Sequence, residues 1–172
     1  MIFTFCPDIP IGSSDAEVIS GEASFQSNFT EYLVVQMKDE KRIFKIAYEY
    51  HCSPFREIAI VGSLLLVGHE GHFYLYDLDT KNSLLVLPML GYFGHLYLHK
   101  DSFHVADAEG IYCINKCGDV VWHNKSLGID GVVIKEFTES EIRGSGDWDP
   151  PGGWKDFILD CKTGKNIAAD SN

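Results

Sequence analysis

Basic residues are scarce in this chain. Fourteen lysines and arginines stand against 25 aspartates and glutamates, for a formal charge of −11 with histidine neutral. Proteins that grip nucleic acid without sequence preference neutralise phosphates with Lys and Arg, so this charge balance has the wrong sign for that role. No apolar run approaches the ~20 residues of a membrane helix. The opening Met1-Ile2-Phe3-Thr4-Phe5-Cys6-Pro7-Asp8 lacks the basic region, longer apolar stretch and small-residue cleavage site of a secretory signal. The five cysteines (Cys6, Cys52, Cys113, Cys117 and Cys161) are odd in number and irregularly spaced, a poor disulfide framework. Cys113 and Cys117 form a close pair, and no second pair completes a zinc site with them. Reduced, mostly structural thiols in a cytoplasmic protein are expected.

Catalytic signatures are missing as well. The chain has no Gly-x-Ser-x-Gly elbow, no phosphate-cradling Gly-x-x-x-x-Gly-Lys-Ser/Thr and no dinucleotide Gly-x-Gly-x-x-Gly after a strand. Gly144-Ser145-Gly146 runs into Asp147-Trp148-Asp149, whose charge would repel a phosphate. No catalytic residue and no cofactor is expected.

What is present is a core. The chain has 172 residues, 45% hydrophobic and 13% aromatic, and a chain of this size buries about 70% of its unfolded surface. A single domain spanning 1–172 is expected, with residues 1–27, punctuated by Pro7, Pro10, Gly12, Ser13 and Ser14, as an N-terminal capping segment. Within it only residues 16–19 hint at a short helix or strand. From Tyr32 the pattern is of β-branched and aromatic runs at 32–37 and 43–48, joined by the charged stretch 38–42 as in a hairpin. Further runs lie at 57–67, 71–78, 83–87, 95–99, 102–106, 110–115, 120–123, 132–137 and 157–160, separated by Gly, Asn, Asp and Lys turns. The spacing predicts an all-β protein with little helix, 138–142 being the other short helical candidate.

An internal repeat underlies the spacing. Glu70-Gly71 superposes on Glu109-Gly110, and Tyr74-x-Tyr76-Asp77 on Tyr112-x-Ile114-Asn115; a third copy ends at Asp160, followed by Thr163-Gly164-Lys165. Offsets of 38 to 45 residues match the ~40–45 of a propeller blade. The pattern resembles the β-propeller blades of quinoproteins and tryptophan-aspartate repeats. That resemblance implies antiparallel meanders over residues 28–168, in a propeller-like stack or a twisted sandwich. Beyond residue 27 the chain supplies about three and a half blades, short of the four to eight of closed rings. Unclosed meanders leave strand edges to be capped or paired.

The least ordinary segment is 143–156, Arg-Gly-Ser-Gly-Asp-Trp-Asp-Pro-Pro-Gly-Gly-Trp-Lys-Asp. Its Pro-Pro pair and glycines predict a shaped loop and not a regular ladder. Trp148 and Trp154 would anchor a partner while Asp147, Asp149 and Asp156 supply complementary charge; the competing reading folds both indoles into the core. His69-Glu70-Gly71-His72 has its histidines three apart, not the four of a helical metal motif. On one strand such residues point to opposite faces. His69, Glu70, His72 and His95 are the alternative metal ligands, and no metal site is expected.

A small, acidic, β-rich chain without a catalytic motif resembles bacterial immunity proteins, which block a cognate toxin. That resemblance implies a non-enzymatic inhibitor that occludes a basic protein partner. The alternatives are a ligand- or glycan-binding β-module and, third, a metal-dependent hydrolase.

Overall fold

The computed structural model describes residues 2–12, 15–20, 27–37 and 40–167. Ser13, Ser14 and 21–26 of the expected cap, and Lys38 and Asp39 of the expected hairpin turn, lie outside the described residues. The chain divides into two compact units, Met1–His51 and Cys52–Asn172. Strands are the only regular elements among the described residues, and no helix there is long and apolar enough to cross a membrane.

The first unit is one four-stranded sheet. Its strands are β1 (Ile2–Cys6), β2 (Glu17–Val18), β3 (Phe29–Gln36) and β4 (Lys41–Tyr48), in the order β1-β3-β4-β2. β1–β3 and β3–β4 are antiparallel, and β2 runs parallel to β4. Period-two alternation puts Glu31, Leu33 and Val35 on the buried face of β3. β4 is buried on both faces, with Phe44 and Ile46 fully enclosed. Residues expected to form a cap therefore include both edge strands of this sheet. The buried Arg42 guanidinium forks onto the Glu17 carboxylate, donating from Nε at 2.8 Å and again from Nη2. The pair anchors the short β2 to β4, because the Arg42 charge alone would be left buried.

The second unit is built from three antiparallel meanders. The first comprises β5 (Arg56–Val61), β6 (Leu64–His69), β7 (His72–Asp77) and β8 (Asn82–Pro88). The second comprises β9 (Phe93–His99), β10 (Ser102–Asp107), β11 (Ile111–Asn115) and β12 (Val120–Asn124). The third comprises β13 (Val132–Phe137), β14 (Glu141–Trp148) and β15 (Gly153–Asp160). The middle sheet is covered on both faces. Phe103, Val105 and Ile114 pack with Leu66, Phe73 and Leu75 of the first meander. Ala106, Ile111, Cys113 and Trp122 pack with Val132, Ile134, Ile142, Phe157 and Leu159 of the third. At about 1.5–3 kcal/mol for each large apolar side chain fully buried, these two cores hold the stack together. The fold is all-β.

The repeat corresponds to shared turn chemistry. Glu70-Gly71 turns β6 into β7, and Glu109-Gly110 lies in the turn from β10 to β11. Asp77, Asn115 and Asp160 each close the following turn through a side-chain oxygen. Asp77 accepts from Asp79 N–H at 3.0 Å, Asn115 from Cys117 N–H at 2.9 Å and Asp160 from Thr163 N–H at 2.8 Å. A short acceptor that bonds the backbone two or three residues on is what reverses the chain.

Three local expectations are corrected. The run 57–67 is two strands, β5 and β6, reversed at Gly62-Ser63 with Gly62 at φ +63°; continuous apolarity hid the turn. Residues 138–142 are not helical, because Thr138 Oγ1 accepts Glu141 N–H at 3.0 Å and turns the chain into β14. The segment 143–156 is not an irregular loop. It is a hairpin whose ladder runs from Glu141↔Asp160 to Trp148↔Gly153, with the prolines confined to the turn. The glycines of β14 serve close packing: a methyl on Gly144 would overlap the Val133 carbonyl and the Phe157 ring, and one on Gly146 the Leu127 carbonyl.

Candidate functional site

The β14–β15 hairpin separates the two tryptophans. Side chains alternate faces along a strand, so the ladder puts Trp148 and Lys155 on the face of Ile142, Phe157 and Leu159, and Asp147, Trp154 and Asp156 on the other. Trp148 is half-buried with the Lys155 ammonium 5.3 Å from its ring centroid. Trp154 is 56% exposed. Asp149 is exposed in the turn, and the Asp156 carboxylate meets Lys135 Nζ at 2.8 Å. Of the five expected partner-binding residues, Asp147, Trp154 and Asp156 share a face.

Beside Trp154 lies a cavity of about 240 Å³, lined also by Phe55, Tyr92, Gly94, His95, Asp107, Asp130, Gly131, Val132 and Val133. Backbone bonds assemble it from four separate loops. Asp147 N–H donates to Gly131 O at 2.8 Å, and Ile129 N–H returns to Asp147 O at 2.8 Å, tying residues 129–131 to β14. Gly131 N–H donates to Ala108 O at 2.9 Å, and Ala108 N–H to Leu90 O at 3.2 Å, tying the same loop to the turns around Tyr92. The Tyr92 hydroxyl donates to Asp130 O at 2.8 Å. Phe55 is placed by Ser53, whose Oγ accepts Phe55 N–H at 3.0 Å and donates to Phe93 O at 2.7 Å. Glu70 holds Ser53 in turn by accepting its N–H at 2.9 Å.

The walls are aromatic and the charge is negative. Phe55 stands 5.0 Å from the His95 ring and 6.4 Å from Tyr92. The Glu57 carboxylate accepts from His95 Nδ1–H at 2.8 Å and from Leu96 N–H at 2.9 Å. Burial raises the Tyr92 hydroxyl above its ordinary pKa, and the nearby carboxylates of Asp130, Asp147 and Asp107 push it further in that direction. Among the described residues no lysine or arginine lines the cavity. Phe55, Tyr92 and Asp130 were invisible as site residues in the sequence, since they stand 99, 62 and 24 positions before Trp154.

The alternative metal ligands are not gathered. His69 and His72 face one another across the two-residue turn, on the same side of the hairpin and not on opposite sides as a single strand would require. Glu70 is turned to the Cys52 and Ser53 N–H groups, and His95 to Glu57. Among the described residues no three His, Cys, Asp or Glu side chains are placed to hold a metal ion.

A second cavity, about 370 Å³, lies against the middle sheet and is lined by His99, Lys100, His104, Cys113, Trp122, Glu139, Cys161 and Lys162, with Ser102 and Val121. His104 is 3% exposed, and neither ring nitrogen has a hydrogen-bond partner. Burial, with a smaller contribution from the neighbouring His99, lowers its pKa to about 4. An unfolded histidine titrates near 6.5. The neutral imidazole therefore contributes stability fully above pH ~6.5, lost as pH falls towards ~4. Between pH 7.5 and 5 this amounts to about 2 kcal/mol. Urea unfolding at the two values is expected to show that loss, and His104→Phe to lose correspondingly less. His72 and His123, also lowered by burial, add the same sign and remain in the variant. An equal pH response in both proteins would show that His104 does not titrate as its burial requires.

The sequence matches no protein-family model, and no curated protein matches it.

Proposed function

We propose that this chain is a non-enzymatic protein-binding protein of the immunity or inhibitor type, which occludes a basic partner such as a cognate toxin in the cytoplasm. The supporting observation is the outer face of the β14–β15 hairpin. Its large aromatic, Trp154, is left 56% exposed beside the 40%-exposed Phe55, with Asp147 and Asp156 on the same face, Asp130 lining the adjoining cavity and Asp149 exposed in the turn. Aromatic anchors supply binding energy, and carboxylates around them steer a cationic partner during encounter. The propeller-blade likeness of the three meanders fits a scaffold that presents loops at its strand ends.

The partner to test is the product of the neighbouring reading frame, co-expressed and co-purified with this chain. Association is then followed by surface plasmon resonance against ionic strength. The double change Asp147→Asn and Asp149→Asn is expected to slow association about tenfold at low salt and to flatten its salt dependence. Unchanged association rates would remove the electrostatic half of the reading, and loss of co-purification with a basic product would remove the whole.

A further inference from the structure

The cavity beside Trp154 has features that a flat binding face does not need. At about 240 Å³ it lies below the ~300–1,000 Å³ of most small-molecule sites, a size suited to one long side chain. Its walls are rings from three elements: Phe55 before β5, Tyr92 before β9 and Trp154 on β15. They converge: a methyl on Gly131 would stand 3.3 Å from the Tyr92 hydroxyl oxygen and 3.8 Å from Trp154 Cη2. Its charged lining groups are Asp107 and Asp130, with no lysine or arginine among them. Asp107 is fully buried and committed to three backbone N–H groups, whereas Asp130 is exposed, with its charge near enough to Tyr92 to raise the hydroxyl's pKa. Aromatic faces attract cations through their quadrupole, more strongly where water is partly excluded.

We propose that this cavity receives an arginine side chain of the basic partner, its guanidinium stacked on the Trp154 and Tyr92 rings and its N–H groups directed at the Asp130 carboxylate. The inference rests on the protein-binding reading above and identifies where the partner's charge is received. Arginine is favoured over lysine because its weakly hydrated planar group both stacks and forks, while an ammonium is a compact, strongly hydrated point charge. The aliphatic stem finds Val132, Val133 and Phe55 along the wall. His95 is engaged by Glu57 through Nδ1 and lines one side of the cavity.

The test uses Nα-acetyl-L-arginine amide as the probe, titrated into the whole protein at fixed ionic strength and followed by NMR through the indole N–H signals. The expected result is a saturable shift of the Trp154 signal with millimolar affinity, assigned by its disappearance in Trp154→Ala. Because Trp154 is exposed, that variant is expected to fold. The lysine analogue is expected to bind several-fold more weakly, and the uncharged citrulline analogue about tenfold more weakly or not at all. Asp130→Asn should weaken arginine binding several-fold while leaving the spectrum of the core unchanged. No saturable shift with the arginine probe, or equal shifts with citrulline, would overturn the assignment. Saturable shifts with neutral monosaccharides in place of arginine would overturn it in favour of a glycan. If the neighbouring-frame product still binds while the arginine probe does nothing, the pocket assignment fails and the partner reading stands. If the probe saturates the pocket and no basic product binds, the reverse holds.

Discussion

Gly146→Ala is expected to lower the stability of the Cys52–Asn172 unit by roughly 3–5 kcal/mol, a loss large enough to abolish soluble expression at 37 °C. Gly146 lies within β14, opposite Val132 and Lys155, where backbone entropy alone would predict that alanine helps. The reason for the opposite outcome is the approach of another backbone. The added methyl would overlap the Leu127 carbonyl and come within 3.1 Å of Gly128 Cα. Neither can swing aside as a side-chain tip would. Leu127 N–H and Gly128 N–H both donate to Glu109 O, at 3.0 and 3.2 Å, so the segment between β12 and β13 cannot retreat without breaking its bonds to the β10–β11 turn. Overpacking that must move hydrogen-bonded backbone exceeds the usual cost of a core misfit. Gly71→Ala is the control, since its methyl would meet nothing closer than the Cys52 sulfur at 3.6 Å. That variant is expected within about 1 kcal/mol of the parent, reduced unfolded-state entropy acting in its favour. Similar midpoints for the two variants in chemical denaturation would show that the β14 glycine is not sterically required.

The same glycines explain what could and could not be read in advance. Strands marked by β-branched and aromatic runs were legible: β3, β4, β7 to β13 and the end of β15 all fall on them, because burial on one or both faces writes itself into residue type. β14 was illegible, since Arg143, Gly144, Ser145 and Gly146 carry no apolar pattern. A strand whose inner positions must be empty to admit a neighbouring backbone looks like a loop. β1 was masked in a proline-punctuated opening, and the β5–β6 reversal was hidden because both strands are apolar up to the turn. The turn acceptors Asp77, Asn115 and Asp160 could be found through their repetition. The site was half legible. Trp154 and the acids around it were conspicuous in composition, but Trp148 shares the same short segment and is carried to the other face by alternation. Phe55, Tyr92 and Asp130 reach Trp154 only through loops whose pairing is a property of the stack. Nothing in their local sequence distinguishes them from other loop residues.

Asp107→Ala is expected to be as damaging as any change outside the apolar core, and to abolish the Trp154 cavity with it. The Asp107 side chain is fully buried, at the end of β10. One carboxylate oxygen accepts Glu109 N–H at 2.9 Å and Gly110 N–H at 2.7 Å, shaping the turn into β11. The other accepts Leu90 N–H at 3.0 Å, on the segment joining β8 to β9. One residue thus fastens the first meander's exit to the second meander's central turn. Burial raises its pKa while the three N–H groups oppose the rise, so the donors are what keep the charged form tolerable there. Alanine leaves three inward-facing donors unanswered, at about 1–3 kcal/mol each before relaxation, for a net loss of roughly 4 kcal/mol. Asparagine keeps one oxygen but turns an NH₂ towards a donor, so Asp107→Asn is expected to fall between, near 2 kcal/mol. The consequence reaches the site by a short route. Leu90 O accepts Ala108 N–H, and Ala108 O accepts Gly131 N–H, so freeing Leu90 loosens the loops that bear Tyr92 and Asp130. In Asp107→Asn, which retains a folded majority at these magnitudes, amide exchange is expected to quicken at Leu90, Ala108 and Gly131 before it quickens in β6 or β7. The Trp154 indole signal should lose its response to the arginine probe in the same protein. Uniformly faster exchange across all three meanders would show instead that Asp107 supports the stack as a whole and not this corner of it.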